Sequence, residues 1–548
     1  MLYREIAKVI AQYIFYFSFL FLIPLAVAIY YEQGFSSQEH PQRACADAFF
    51  YSFVASLTVS FLFSFWGRKA KDVLYRREAL AIVASIWFIT AIVGAFPFYF
   101  SKTFDNPLDC YFETMSGLTT TGASVMHPKE YDPQSGEEIP CSIKVTWAKS
   151  KDYRFHGTIR PVRNQRGELI EGVEAVAKGI LFWRSFLQWL GGMGIVVLFV
   201  AILPALGIGG KVLYQAEVPG PSKDAVTPRV KETASILWKL YFALSVVEVV
   251  LLLLSSQKID LFEAFVITFS NLSTGGFSSH SASIAYYESA MTEWVVILFM
   301  LLGSINFSLY FYFLKGKLYR LYDTELIVYL ICLFIVCSFS VYCLIGVPTT
   351  LLYGNKVAEI FSFSDTLRYA CFHLISAQTS TGFATCNFNL WPFSVQVVML
   401  FVMFVGSMSG STGGGIKIIR HYMLFFIAKN RIESIFRPET VRTLRIGNRE
   451  VNVDAAVTVL SYFFIVVAIS SMATLFLCLD GVDPETSLSV TVCMINNIGI
   501  AFRAAAPIES FAFLSSFGKI LSSFLMVLGR LEFFALLILL VPAFWRGN

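Results

Sequence analysis

Charge is scarce in this chain. Asp, Glu, Lys and Arg make up 15% of its 548 residues, where a soluble domain carries about a quarter. Together with 56% hydrophobic residues and a mean hydropathy of +0.64, this excludes a soluble fold and implies an all-α polytopic membrane protein embedded in lipid. The net charge of +4 is too small to suggest a nucleic-acid partner, so none is expected. Histidine is also rare. His40, His127, His156, His280, His373 and His421 form no i, i+4 pair, which excludes the helical zinc-hydrolase pattern, and no nucleophile motif lies nearby. The chain therefore does not read as an enzyme, and no organic cofactor is expected on it. The ten cysteines include no CxxC pair and read as small buried hydrophobes. A cleavable leader is missing as well. The first apolar run, Ile6 to Tyr31, has no small-residue cleavage site behind it and reads as a retained span.

What the chain has in abundance is long apolar runs. Two N-terminal spans, about Ala7 to Tyr31 and Ala46 to Trp66, precede a basic cluster at Arg68, Lys69, Lys71, Arg76 and Arg77. Such a cluster belongs on the cytoplasmic side, which places the N-terminus inside. Paired spans then recur four times: about Ala79 to Phe100 with Ile180 to Leu206, Ser235 to Ser255 with Thr292 to Leu314, Glu325 to Ile345 with Phe393 to Ile427, and Asp454 to Leu479 with Lys519 to Trp545. The loops that this layout places inside, including Lys211 to Lys231 and Lys417 to Arg449, are basic. The expected units are 1–77 for the N-terminal pair, then pore repeats at 78–210, 211–322, 323–449 and 450–548.

Between the spans of each pair lies an apolar run too short to cross. These runs are Leu108 to Leu118, Leu261 to Leu272, Thr366 to Ala377 and Thr486 to Ile495, with Asp105, Asp260, Asp365 and Asp483 as expected N-caps. A helix of roughly ten residues rises about 15 Å, half the hydrocarbon core. Each is followed by a glycine-containing stretch: TTTGAS (Thr119 to Ser124), STGGFS (Ser273 to Ser278), STGFAT (Ser380 to Thr385) and NNIGIAF (Asn496 to Phe502). Taking Gly122, Gly275, Gly382 and Gly499 as equivalent gives spacings of 153, 107 and 117 positions. The surplus in the first repeat matches a polar insertion, His127 to Lys178, in which Lys144 to Trp147 alternates and Asn164 to Gly167 is a turn signal, predicting a small β-hairpin element outside the membrane.

Non-helical backbone at membrane depth must be enclosed by protein or line a water-filled cavity. A single glycine C-cap is ordinary helix packing; four at matched spacing imply one shared pathway. Carbonyls at the breaks could replace the hydration of a monovalent cation, with hydroxyls of Thr121, Thr274 and Thr381 adding oxygens, while the half-helix C-termini direct negative dipole ends inward. No ring of carboxylates marks a divalent site. The candidate filter is Thr120, Thr121 and Gly122; Ser273, Thr274 and Gly275; Ser380, Thr381 and Gly382; Asn497, Ile498 and Gly499. Two features suggest a gate. GSMSGSTGGG (Gly406 to Gly415) interrupts a span, and Arg530 lies about a dozen residues inside another. The guanidinium is expected to bond to loop carbonyls and repel cations beneath the filter.

These stretches, with WRSFLQWLGGMGIVVLFVAILPALGIGG (Trp183 to Gly210), QAEVPGPSKDAVTPRVKETA (Gln215 to Ala234), GSTGGGIKIIR (Gly410 to Arg420) and GRLEFF (Gly529 to Phe534), resemble the Trk/Ktr/HKT potassium transporter superfamily, of the TrkH/TrkG type, over nearly the whole chain. The resemblance implies potassium uptake across the bacterial inner membrane, with potassium at a four-repeat filter. It implies an intramembrane loop (Gly413, Gly414, Gly415) and an arginine (Arg530) as gate, a homodimer, and a cytosolic RCK-type nucleotide-binding regulatory subunit. The runner-up is a sodium-permeable or sodium-coupled relative. The chain departs from the family pattern at Ile500 and Ala501, where a Pro-Gly pair is common, and Arg503 is expected to place a positive charge near the outer mouth.

Overall fold

The computed structural model describes residues 3–33, 45–70, 75–145, 150–164, 167–194, 230–353, 357–358, 362–437, 444–446, 449–451, 453–531 and 533–545. Among these, six helices are long and apolar enough to cross a bilayer: Tyr3–Glu32, Ala46–Gly67, Arg77–Phe100, Glu232–Ser255, Thr324–Leu344 and Asp454–Leu479. Their outer faces carry exposed Phe61, Phe334 and Phe464, the surface lipid requires. The N-terminal pair closes along a stripe of small residues: Ser52, Ser56 and Ser60 are buried, and Ser60 donates 2.8 Å to the carbonyl of Ala11.

The second spans are not continuous helices, and the sequence signalled an interruption only in the third repeat. Ala290–Ser304 and Phe307–Leu314 meet at 94°, because Asn306 caps a new helix with its side chain 2.9 Å from the amide of Ser308. Phe393–Phe404 and Ile418–Phe436 are separated by the glycine-rich loop. Ser516–Leu531 is followed by short pieces, Phe533–Leu537 and Pro542–Trp545. Lys178–Gly192 is helical, but the rest of that expected span, the basic loop 211–229 and much of 429–449 lie outside the described residues.

The four half-helices are present: Pro107–Leu118, Leu261–Leu272, Phe363–Gln378 and Pro484–Ile495. Asp260 and Asp483 cap the second and fourth as expected. The first and third are capped instead by Asn106 and Ser362. Asp105 is committed elsewhere, to Lys129 and Arg160 at 2.9 Å each, and the hydrogen bond from Lys129 holds its carboxyl below the usual range. Asp365 sits a turn inside its helix.

The insertion is larger in organisation than one hairpin. Three antiparallel pairs follow one another: Glu130–Tyr131 with Glu138–Ile139, Cys141–Val145 with Lys151–Phe155, and Val162–Arg163 with Leu169–Ile170. The predicted turn holds, with the amide of Gly167 3.0 Å from the carbonyl of Asn164 and Gly167 at φ +81°.

Candidate functional site

All four half-helices end in the same way. The residue two past the helix turns left-handed, at Thr120 (φ 54°), Thr274 (56°), Ser380 (58°) and Asn497 (52°). The next amide bonds back five residues: Thr121 to Ser116 (2.9 Å), Gly275 to Ser270 (2.7 Å), Thr381 to Ser376 (2.8 Å) and Ile498 to Cys493 (3.1 Å). This is a Schellman-type cap, four times over, made without glycine at the left-handed place. A second left-handed residue follows two positions on, and there glycine is required: Gly122 (77°), Gly276 (76°), Gly382 (84°) and Gly499 (83°).

The second repeat therefore corrects the sequence register. Gly276, not Gly275, is the counterpart of Gly122. Gly275 matches Thr121, Thr381 and Ile498, while Thr274 matches Thr120, Ser380 and Asn497. Ser273 falls one place below the filter set, level with Thr119, Thr379 and Asn496. The hydroxyls of Thr121, Thr274 and Thr381 thus do not form one tier. Those of Thr121 and Thr381 turn to their neighbours Thr119 (2.8 Å) and Thr379 (2.7 Å). At the level below, the side-chain oxygens of Thr120 and Asn497 are buried without a hydrogen-bond partner.

The four strands close a ring. A Cβ added at Gly122 would collide, well under 3.0 Å, with the carbonyl oxygen of Gly275; at Gly276, with that of Thr381; at Gly382, with that of Ile498; and at Gly499, with that of Thr121. Each glycine abuts the carbonyl before the glycine of the next repeat, and the fourth returns to the first. Behind this ring the outgoing amides find side-chain acceptors. Glu113 takes the amide of Val125 and the hydroxyl of Ser124, both at 2.9 Å. His373 accepts from the amides of Thr385 (3.2 Å) and Cys386 (3.4 Å), and Ser489 from that of Phe502 at 2.7 Å. Glu113 is itself paired at 2.6 Å with Arg184, and both are fully enclosed. Arg184 also donates to the carbonyl of Ser278 (2.9 Å) and lies 3.5 Å over the Phe277 ring, tying the loop after the first half-helix to the loop after the second.

Beneath the ring lies the glycine-rich loop. The half-helix ends meet glycines: Gly191 stands against the carbonyl of Leu118, Gly303 against Leu272 and Gly529 against Ile495. In the third repeat Gly413 of the loop stands against Ser407 and the carbonyl of Thr379, one residue past the helix end. The amide of Gly414 donates 2.7 Å to the hydroxyl of Ser380 in the filter sequence. The bend at Ile305 and Asn306 makes room for the loop, which pairs with the exposed ends there: Met408 to Ser304 (3.2 Å), Thr412 to Gly303 (3.1 Å) and Phe307 to Gly410 (3.1 Å). Arg530 reaches the loop at Thr412, one residue before the three glycines, donating 2.7 Å to its carbonyl. Its other arm donates 2.6 Å to the carbonyls of Gly191 and of Gly192. The guanidinium therefore joins a helix of the fourth repeat to the third-repeat loop and the end of a first-repeat helix.

Several residues here carry no assignment from the sequence reading. Lys417 is buried and donates to the carbonyl of Gly413 and, at 3.2 Å, to Ser407; a lone lysine in GGGIKII was its signal. Glu325 accepts from the loop amide of Ser409 at 2.7 Å. Arg503 does not stand as a bare charge at the mouth. It pairs with Glu485 at 2.7 Å and donates to Asn389 and Gln396, so a carboxylate offsets the positive charge expected there. The insertion stitches the outer rim. Lys129 and Arg160 hold Asp105, Tyr153 hydrogen-bonds the cap residue Asp483, and Glu174 faces His280 at 3.6 Å, with Glu263 on the other side at 3.5 Å. Burial alone would lower the pKa of His280, but the two carboxylates raise it to about 9.

Residues 155–546 match the family model of TrkH, a cation transport protein. The chain is 32% identical to the Trk system potassium uptake protein TrkH of Escherichia coli K12, covering 99% of each, and 30% identical to TrkG of the same organism over 99% of each. The crystal structure of the potassium transporter TrkH from Vibrio parahaemolyticus superposes with a TM-score of 0.78 at 29% identity, covering all of both chains. A match over most of the chain, with full-length relatives on the same architecture, makes this protein a multi-pass membrane member of the TrkH family of cation transport proteins.

Proposed function

We propose that the chain takes up potassium through the ring of Thr121, Gly275, Thr381 and Ile498, whose carbonyls replace the ion's water. The observation that carries this reading is the cyclic contact of each repeat's glycine with the next repeat's carbonyl. Below it, the unpartnered oxygens of Thr120 and Asn497 are free to take an incoming or leaving ion. The relatives named as potassium uptake proteins support potassium as the cargo. The loop from Gly406 to Lys417 acts as the gate, held across the pathway by Arg530 at Thr412 and by Lys417 at Gly413; opening requires the loop to leave both. The chain works as a homodimer with its N-terminus inside, and a cytosolic RCK-type ring that binds a nucleotide meets its basic inner loops and moves the gate. Potassium-limited growth of an uptake-deficient bacterial strain tests the transport reading. Expression of the wild-type chain should rescue growth and Gly382→Ser should not; no rescue by well-expressed wild type defeats it. Flux of potassium, rubidium and sodium into vesicles then separates a selective pathway from a sodium-permeable one, since equal potassium and sodium flux refutes selectivity.

A further inference from the structure

The second repeat lacks a side chain where the other three have Thr121, Thr381 and Ile498, and the space is not empty. Gln188, fully buried on the helix Lys178–Gly192, fills it: its amide carbon and both amide heteroatoms lie within 2.7 Å of where a Cβ on Gly275 would go. The amide is also oriented at both ends. Its nitrogen donates 2.7 Å to the carbonyl oxygen of Gly275, and its oxygen accepts from the amide of Phe277 at 3.2 Å. Among the described residues, the carbonyls of Thr121, Thr381 and Ile498 take no hydrogen bond from the protein. One ring oxygen of four is therefore tethered from behind by a side chain borrowed from the preceding repeat.

We infer that Gln188 is a positioning residue for ion selectivity: it stands in for the absent side chain at Gly275 and fixes the direction of that one carbonyl. The inference rests on the proposed filter and goes one step further, because it assigns the asymmetry of the ring to a single residue outside the filter sequence. A carbonyl held by a fixed donor resists the inward tilt needed to close around a smaller ion, and one lone pair stays committed to the amide. Releasing it lets sodium be met more closely.

The arrangement also predicts which residue could replace Gln188. Thr121 and Thr381 place their hydroxyls against Thr119 and Thr379, and the second repeat has Ser273 at that level. Threonine at 275 would find the same partner once Gln188 is cut back.

The experiment is a four-member cycle of wild type, Gln188→Ala, Gly275→Thr and the double variant, purified and reconstituted in vesicles. Potassium and sodium uptake are read together with melting temperature in detergent. Gln188→Ala should lower the potassium-to-sodium ratio about fivefold, the factor one amide hydrogen bond is worth. Gly275→Thr alone should melt lower and lose flux, since threonine and Gln188 compete for one space. The double variant should recover both melting temperature and ratio toward wild type. An unchanged ratio in Gln188→Ala, or a double variant no better than the sum of the singles, overturns the inference. If wild type itself carries no potassium, the proposed function fails instead. The melting cycle then still decides whether Gln188 occupies the place of the missing side chain.

Discussion

Replacing Arg530 with Ala should convert a restrained pathway into a leaking one, and the size of the effect follows from how the guanidinium is shared. Two of its hydrogen bonds run to the carbonyls of Gly191 and Gly192 at 2.6 Å, at the end of a packed helix; another, 2.7 Å to Thr412, holds the loop. Loss of one hydrogen bond from a charged donor costs about 1.5–3 kcal/mol. With about 1.4 kcal/mol per factor of ten, the closed loop loses roughly 10- to 100-fold of its population advantage. Removing the positive charge from the path adds to the flux in the same direction. The assay is rubidium uptake into vesicles holding the purified chain without any cytosolic partner, where basal flux of the variant should rise at least about tenfold. Arg530→Lys should fall between, because an ammonium cannot span Thr412 and the two glycine carbonyls as a planar fork does. Basal flux at or below wild type, in a variant whose melting temperature shows it folded, refutes the gate.

Three further outcomes follow. The corrected register is tested by Gly276→Ala and Gly275→Ala: the first forces a side chain onto a backbone carbonyl at φ +76° and should abolish potassium flux, whereas the second displaces only Gln188 and should retain part of it; equal loss contradicts the register. Arg184→Met should cost about 3–5 kcal/mol, read as a fall in melting temperature, because it strands Glu113 in the interior; adding Glu113→Gln should recover part of that loss, and a neutral single variant would show that the pair does not brace the filter. The clamp at His280 should depend on pH. Its pKa is raised from about 6.5 to about 9, so its contribution, up to about 3 kcal/mol, is fully present below pH 6.5 and fades as pH rises through 9. Protection factors at residues 278–281, taken relative to the intrinsic base-catalysed exchange rate, should fall over that window in wild type, and protection that stays constant contradicts the clamp.

The half-helices and their glycine stretches were legible because they repeat: four short apolar runs, each ending in the same punctuation, cannot all be accidents of packing. The register in the second repeat was not, since GG offers two candidates and the spacings of the glycines do not choose between them. Two of the four expected N-caps, Asp105 and Asp365, are not caps, because Asn106 and Ser362 take that role. The bend at Asn306 lay hidden in a run whose hydropathy is continuous across it; the cap that Asn306 makes and the loop from the next repeat together explain why the helix stops. Lys417 and Gln188 were present in motifs already singled out, but their partners are remote in sequence or depend on a turn that spacing does not reveal. The hairpins of the insertion were signalled by Asn164 to Gly167, while their ties to Asp483 and His280 span more than a hundred residues and leave no local trace.

The ring of glycines and carbonyls closes within one polypeptide, and this has a consequence for any assembly of two such chains. On the proposed function each molecule owns a complete conduit, so a subunit crippled at Gly382 has no means of poisoning its neighbour's passage. In cells making intact and crippled chains together, throughput should decline in simple proportion to the crippled share. The steep collapse seen when four separate chains must each supply a quarter of one hole is not available to this design.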